Sequence, residues 1–309
     1  MIKFGFQQPS HSGPNSFERV KEVAHLCEAE GYDSFWVMDH LIQIDLAGKI
    51  RDPILESYTT TSALAATTSK IKVGALCTCN YFRNPALLAK MVATLDHISK
   101  GRFWLGIGAG WYEEEARMYG YDFPKFSTRV EMLEETLEIM RGALASKGSF
   151  SFRGKHFHVQ DLVISPKPKV VPPILIGGES RQILRLVAKY GSACNVFPKG
   201  KELEQEFQVL KEECDKVGRK YSSILKTKLA TVMLGRNRQS ALQKLSKYKP
   251  RWISLEEYSQ SSLFGSPREI VEEIEEYVNF GLDYLIVNLR GGIDPASVKA
   301  FSRDVMRSF

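Results

Sequence analysis

Apolar and polar positions alternate in two periods along the chain, and the two periods take turns almost from end to end. Short apolar runs read as strands over residues 2–7, 34–38, 71–77, 102–107, 174–176, 194–197, 226–234 and 284–289. Between them lie stretches with apolar residues three and four apart, the spacing of one helix face. These predict helices over 16–30, 53–67, 85–99, 127–144, 181–190, 202–217, 239–248, 267–280 and 295–306. Pro53, Pro85, Pro267 and Pro295 stand at first-turn positions, and Gly31 and Gly101 follow helix ends. The rhythm breaks twice. Residues 150–152 and 156–159 around Arg153-Gly154 read as a hairpin, followed by Pro166, Pro168 and Pro172, and 248–264 reads as an irregular segment able to serve as a lid. Apolar strands each followed by a helix imply a parallel sheet covered by helices. Eight such units favour a closed α/β architecture, a (β/α)8 TIM barrel, over an open doubly wound sheet. The expectation is one domain over 1–309, with insertions at about 145–172 and 248–265.

Composition narrows the class. With 309 residues, 43% hydrophobic and 25% charged, the chain can bury a large core, which excludes disordered and fibrous classes. Apolar runs fall short of the ~20 residues that span a bilayer, and residues 1–9 lack a signal-peptide apolar core, so the expected location is cytoplasmic with Met1 as the mature start. The net charge of +6 is diffuse, without a basic run interleaved with aromatics, so neither nucleic acid nor membrane is the expected partner. Five cysteines, at 27, 77, 79, 194 and 214, form no CxxC pair; buried thiols are expected rather than disulfides or zinc. His156 and His158 share the hairpin without further ligands in sight, so no metal site is expected.

In such a barrel the chemistry sits where strands end. Trp36-Val37-Met38-Asp39-His40 ends the second strand, and His40 there is either an acid/base group or a structural hydrogen-bonding residue. Gly177-Gly178 ends the fifth, opening either a backbone cradle for an anion at a helix N-terminus or a tight turn. Gly106-Ile107-Gly108-Ala109-Gly110 is no dinucleotide fingerprint, because Trp111 stands where GxGxxG needs glycine; it reads as backbone kept small for a flat ligand. Glu113, Glu114 and Glu115 open a helix and complement its dipole.

At these residues the chain resembles the luciferase-like monooxygenase superfamily, and within it the deazaflavin (coenzyme F420)-dependent oxidoreductases. The matching stretches are 30–36 through Asp39-His40, Asp52-Pro53-Ile54-Leu55-Glu56, 81–90, 105–111, 173–178 and 284–288. The resemblance implies a cofactor pocket at the barrel's C-terminal mouth and a non-proline cis peptide at Leu76-Cys77 under the cofactor ring. It further implies cofactor phosphate at Gly177 and Gly178, with Asp39, Ala109 and Asn195 lining the ring or its side chain. His40 would be the catalytic residue. The implied activity is hydride transfer between F420 and a small organic substrate, in a homodimer. Reduced-flavin (FMN) monooxygenase chemistry and flavin binding without turnover are the alternatives. The family's sugar-phosphate dehydrogenases carry a glutamate where this chain has Ala109 and a tryptophan where it has Ile44, which argues against that activity and leaves the substrate open.

Overall fold

The computed structural model describes residues 1–8, 16–289 and 294–309. In chain order the elements are β1 (Lys3–Gln7), α1 (Ser16–Ala29), β2 (Ser34–Val37), α2 (Ser57–Thr67), β3 (Lys72–Cys79), α3 (Pro85–Ser99) and β4 (Phe103–Gly108). Two helices follow in succession, α4 (Glu113–Met118) and α5 (Phe126–Ala145), and then the hairpin β5 (Phe150–Arg153) and β6 (His158–Leu162). The alternation resumes with β7 (Ile174–Gly177), α6 (Arg181–Tyr190), β8 (Ala193–Val196), α7 (Gly200–Lys216), β9 (Leu225–Leu234) and α8 (Arg238–Leu245). The chain ends with α9 (Leu255–Gln260), β10 (Ser262–Gly265), α10 (Pro267–Asn279), β11 (Tyr284–Leu289) and α11 (Pro295–Asp304).

Eight parallel strands close in the order β11-β1-β2-β3-β4-β7-β8-β9, with β9 hydrogen-bonded back to β11, so the expected (β/α)8 barrel is the fold. Two expectations need correction, and a third holds. The second helix begins at Ser57, not Pro53: the Glu56 carboxylate accepts from the N–H groups of Tyr58 and Thr59, a cap that a preceding proline cannot supply. The first insertion is the predicted hairpin, and Glu135 of α5 accepts from the N–H groups of Lys155, His156 and Phe157 in its turn. The second insertion is not irregular. It holds α9, whose Ser254 and Glu257 form a capping box, and β10, a ninth strand paired in parallel with Thr231–Leu234 at the mouth end of β9.

The barrel lumen is filled from below by Trp36, Leu76, Trp104, Leu175, Ala193, Tyr284 and Ile286. Trp36 and Trp104 meet edge to face, 6.5 Å between centroids. The Trp36 indole N–H donates to Ser34 Oγ at 2.6 Å, so the largest plug residue is polar-satisfied. Gly106 lies against this indole and the Ala75 carbonyl, where a Cβ would collide. The small backbone of β4, expected to serve a flat ligand, thus serves the plug at this position. Burial pushes the thiols of Cys77, Cys79 and Cys194 up to about 12, and all five cysteines are unbridged.

Lys228 of β9 is a buried ammonium without a carboxylate at ion-pair distance among the described residues; it is 1% exposed and donates to the Phe197 carbonyl. Burial first, and the Lys199 charge second, lower its pKa to about 7 from 10.5. The unfolded chain therefore holds a proton here that the folded one has released, and stability rises with pH between these two values. In Lys228→Met that rise should shrink by about 4 kcal/mol, measured by urea unfolding at both ends of the window. Equal pH dependence in the two proteins would mean that the ammonium remains solvated after folding.

Candidate functional site

The C-terminal ends of β2, β3, β4, β7 and β8 meet at one mouth above the aromatic plug. On β3 the register slips between Ala75 and Thr78 against β4, and within that bulge the Leu76-Cys77 peptide is cis, as the resemblance implies. The bulge is held from two sides. Gln7 Nε2 donates to the Leu76 carbonyl at 2.8 Å, and Asn288 Nδ2 donates to Gln7 Oε1 at 3.2 Å. From the other side comes Asp39, 3% exposed. Its carboxylate accepts from the Cys79 N–H at 2.8 Å, from Ser57 Oγ, and from Arg83 Nη1 and Nη2 at 2.7 and 2.9 Å. These four donors use the four acceptor sites of a carboxylate. Arg83 also bonds Glu56 at 2.6 Å and lies 4.3 Å over the Tyr58 ring.

His40 follows directly, its side chain 15% exposed. Its Nδ1 lies 2.9 Å from Glu115 Oε2. Glu115, 2% exposed, also accepts from the N–H groups of Leu41 and Ile42. Its neighbours Glu113 and Glu114 are exposed. The glutamate run therefore does not act as one unit: two members complement the helix dipole, while the third turns inward to clamp the loop after β2. A carboxylate can only accept here, so His40 carries its hydrogen on Nδ1 and presents Nε2, which has no protein partner among the described residues. Trp111 and Tyr112 stand edge-on to this imidazole at 5.6 and 6.2 Å and stack on each other at 5.1 Å. Glu115 is the candidate site residue that sequence reading missed. The available signal was its place beside Ala116 on the one inward face of a short helix.

Opposite lie Gly177 and Gly178. A Cβ on Gly177 would stand 2.5 Å from Cys77 Sγ, and Gly178 has φ +136°, a conformation that L side chains rarely adopt. The Gly178 N–H donates to the Asn195 carbonyl at 3.1 Å, so it is not a free donor. The glycine pair is a tight turn that exposes the start of α6. There Ser180 Oγ accepts from the Ile183 N–H at 3.3 Å, and the first-turn N–H groups of Arg181 and Gln182 have no intrahelical acceptor. Ala109, 6% exposed, closes β4 between the two sides.

Buried carboxamides line the same rim. Asn195 Oδ1 accepts from Thr227 Oγ1 at 3.0 Å, while its Nδ2 is unpaired. Asn288 Oδ1, Gln43 Nε2 and both polar atoms of Asn80 are unpaired as well. Buried polar groups are normally hydrogen-bonded, so unpaired donors and acceptors at one rim fit the lactam edge of a flat heterocycle. The donor set suits a flavin or deazaflavin, which share that edge.

Comparison with known proteins agrees with this arrangement. The luciferase-like monooxygenase family model matches residues 1–262. The pyrimidine monooxygenase RutA of Pseudomonas savastanoi pv. phaseolicola is 33% identical over 216 residues, 67% of this chain and 59% of the relative. The chain thus spans about three-fifths of the RutA length. An F420-dependent glucose-6-phosphate dehydrogenase of Amycolatopsis mediterranei is 26% identical over 99% of this chain and 98% of its own. An F420-dependent secondary alcohol dehydrogenase, solved with an F420-acetone adduct, superposes with a TM-score of 0.86 at 19% identity over 99% of this chain and 98% of that one. With the barrel, its bulged third strand and a family match running through β9 to the start of β10, the chain belongs to the luciferase-like monooxygenase family.

Proposed function

We propose that this protein is an oxidoreductase that passes a hydride between coenzyme F420 and a small organic carbonyl or alcohol. The observation that carries the reading is the His40–Glu115 pair, a proton-handling group oriented by a buried carboxylate at the barrel mouth. Reducing a carbonyl consumes a hydride and a proton, and oxidising the alcohol releases both; a histidine whose Nε2 has no protein partner among the described residues handles that proton. When bound, the deazaflavin supplies the hydride, since it has carbon where a flavin has N5. The chain's own work is to bind, orient and exclude water. The unpaired amide of Asn195 and the Leu76-Cys77 bulge would hold the ring, with Ala109 flanking it, and the opening of α6 beyond Gly177 and Gly178 would take the phosphate. Asp39 reaches the cofactor only through the β3 backbone it fixes. The end-to-end match to an F420-dependent relative supports this reading. The higher identity to RutA over two thirds of the chain favours FMN monooxygenase chemistry as the second reading.

Titrating the purified chain with oxidised F420 and with FMN, then following hydride exchange, tests the choice. Tighter F420 binding with hydride exchange is expected; FMN binding with oxygen-dependent turnover overturns the proposal. Ser180→Asp tests the phosphate position. Aspartate caps helices as well as serine, so the fold should hold, while its charge repels a phosphate at the same N-terminus. Cofactor affinity should fall at least about tenfold, ~1.4 kcal/mol. Unchanged affinity places the phosphate elsewhere.

A further inference from the structure

The opposite end of the barrel carries a cleft that the proposed reaction does not use. It lies where β7 and β8 begin, with a volume of about 320 Å³, and is walled by Val171, Pro172, Ile174 and Tyr190 on its apolar side. Arg141 of α5 and Arg219, just after α7, both line it, as does Ser192. Neither arginine has a carboxylate within ion-pair distance among the described residues, whereas Lys189, also in the lining, is paired with Glu134 at 2.8 Å and Glu138 at 3.6 Å.

Both arginines have a structural contact. Arg141 Nη1 donates to the Lys189 carbonyl at 3.2 Å, and Arg219 Nη1 donates to the Ala188 carbonyl at 3.2 Å, capping the end of α6. Arg219 Nε donates to Ser223 Oγ at 3.2 Å. Capping uses one amino group of each, and the Nη2 group of each donates to no protein atom among the described residues. Ser192 Oγ accepts from the Ile174 N–H at 3.3 Å, and its own hydrogen has no protein acceptor among the described residues. Burial, and beyond it the charge of Arg141, lower the pKa of Arg219, so the two cations sit at a mutual cost. A helix end is capped equally well by one cation, so the second unpaired guanidinium is not explained by capping.

We infer that this cleft is a binding site for a dianionic phosphate monoester, its oxygens held by Arg141, Arg219 and the Ser192 hydroxyl and its small organic part lying on Pro172, Ile174 and Tyr190. Guanidinium forks match phosphate oxygens in pairs and stay charged at every working pH. The ligand alone then sets the pH dependence, with binding gaining strength as the monoester's second proton leaves near pH 6.

Isothermal titration of the full chain with phenyl phosphate and with inorganic phosphate tests the site. Saturable binding of phenyl phosphate that depends on the two arginines is expected, tighter at pH 8 than at pH 5.5. Affinity should fall at least tenfold in Arg141→Ala, whose exposed side chain can be removed without touching the core. Arg219→Lys keeps the cap on α6 and should show a similar loss, since a lysine cannot fork. Ser180→Asp, at the other end of the barrel, should leave binding unchanged. Absence of saturable binding, affinity unaltered in both arginine variants, or loss in Ser180→Asp instead overturns the site. None of these outcomes depends on which cofactor the mouth accepts.

Discussion

Replacing His40 by alanine is expected to slow hydride transfer by about 10²–10⁴-fold, the usual worth of one positioned acid/base group, with cofactor binding little changed. The geometry makes the expectation specific. Nδ1 is committed to Glu115 at 2.9 Å, so any chemistry runs through Nε2. The bland alternative is that His40 only ties its loop to α4. That tie, however, is already made by the Leu41 and Ile42 N–H groups on the same carboxylate. Loss of the imidazole should therefore cost no more than ~1–3 kcal/mol of stability, and a folded variant with near-normal turnover defeats the catalytic role. Glu115→Gln sharpens the test. The two backbone N–H groups demand an acceptor, so the amide oxygen must face them and the amide NH2 must face His40. The histidine is then forced to accept at Nδ1 and to carry its hydrogen on Nε2, the opposite tautomer. Turnover should drop by more than any accompanying loss of stability accounts for. A purely structural glutamate would lower stability and reduce turnover only in proportion to unfolding.

How much of this was legible in the sequence depends on the range of each signal. The eight barrel strands and most helices were readable because their apolar periods are local, and α3 and α6 fall on the residues expected. Proline punctuation misled at Pro53, where the actual cap is a carboxylate three residues later. β10 was hidden because its four residues follow the polar run Ser259-Gln260-Ser261 and find their partner on β9, some thirty residues back. The site was legible at positions that end strands, such as His40 and Asn195. Its electrostatics were not. Glu115 looks like its two neighbours in the sequence, and only the fold brings it beside a histidine seventy-five residues away. The glycine pair at 177 and 178 was ambiguous for a related reason: what excludes a side chain at Gly177 is Cys77, on a strand remote in sequence.

Asp39 is where fold and function are least separable, and Asp39→Ala is expected to produce the largest loss of stability, about 3–5 kcal/mol. The substitution removes the partner of Arg83, whose side chain is 10% exposed, and leaves the buried Cys79 N–H without an acceptor. Glu56 continues to pair with Arg83, and because it is 40% exposed it compensates only in part, which places the expectation toward the lower end of that range. Asp39→Asn keeps the volume and removes the charge. It retains one acceptor and should lose about half as much, because a carboxamide cannot receive both Arg83 amino groups and the backbone together. Urea unfolding of both variants at neutral pH checks the order alanine, asparagine, wild type. The same pair separates two roles. If Asp39 acts through the β3 bulge, cofactor affinity and stability should fall together across the series, since the bulge loosens as its anchor weakens. If Asp39 touches the cofactor directly, Asp39→Asn should lower affinity with stability nearly intact. The four donors already filling its carboxylate favour the first outcome, in which Asp39, next to His40, acts by holding the β3 backbone at the mouth.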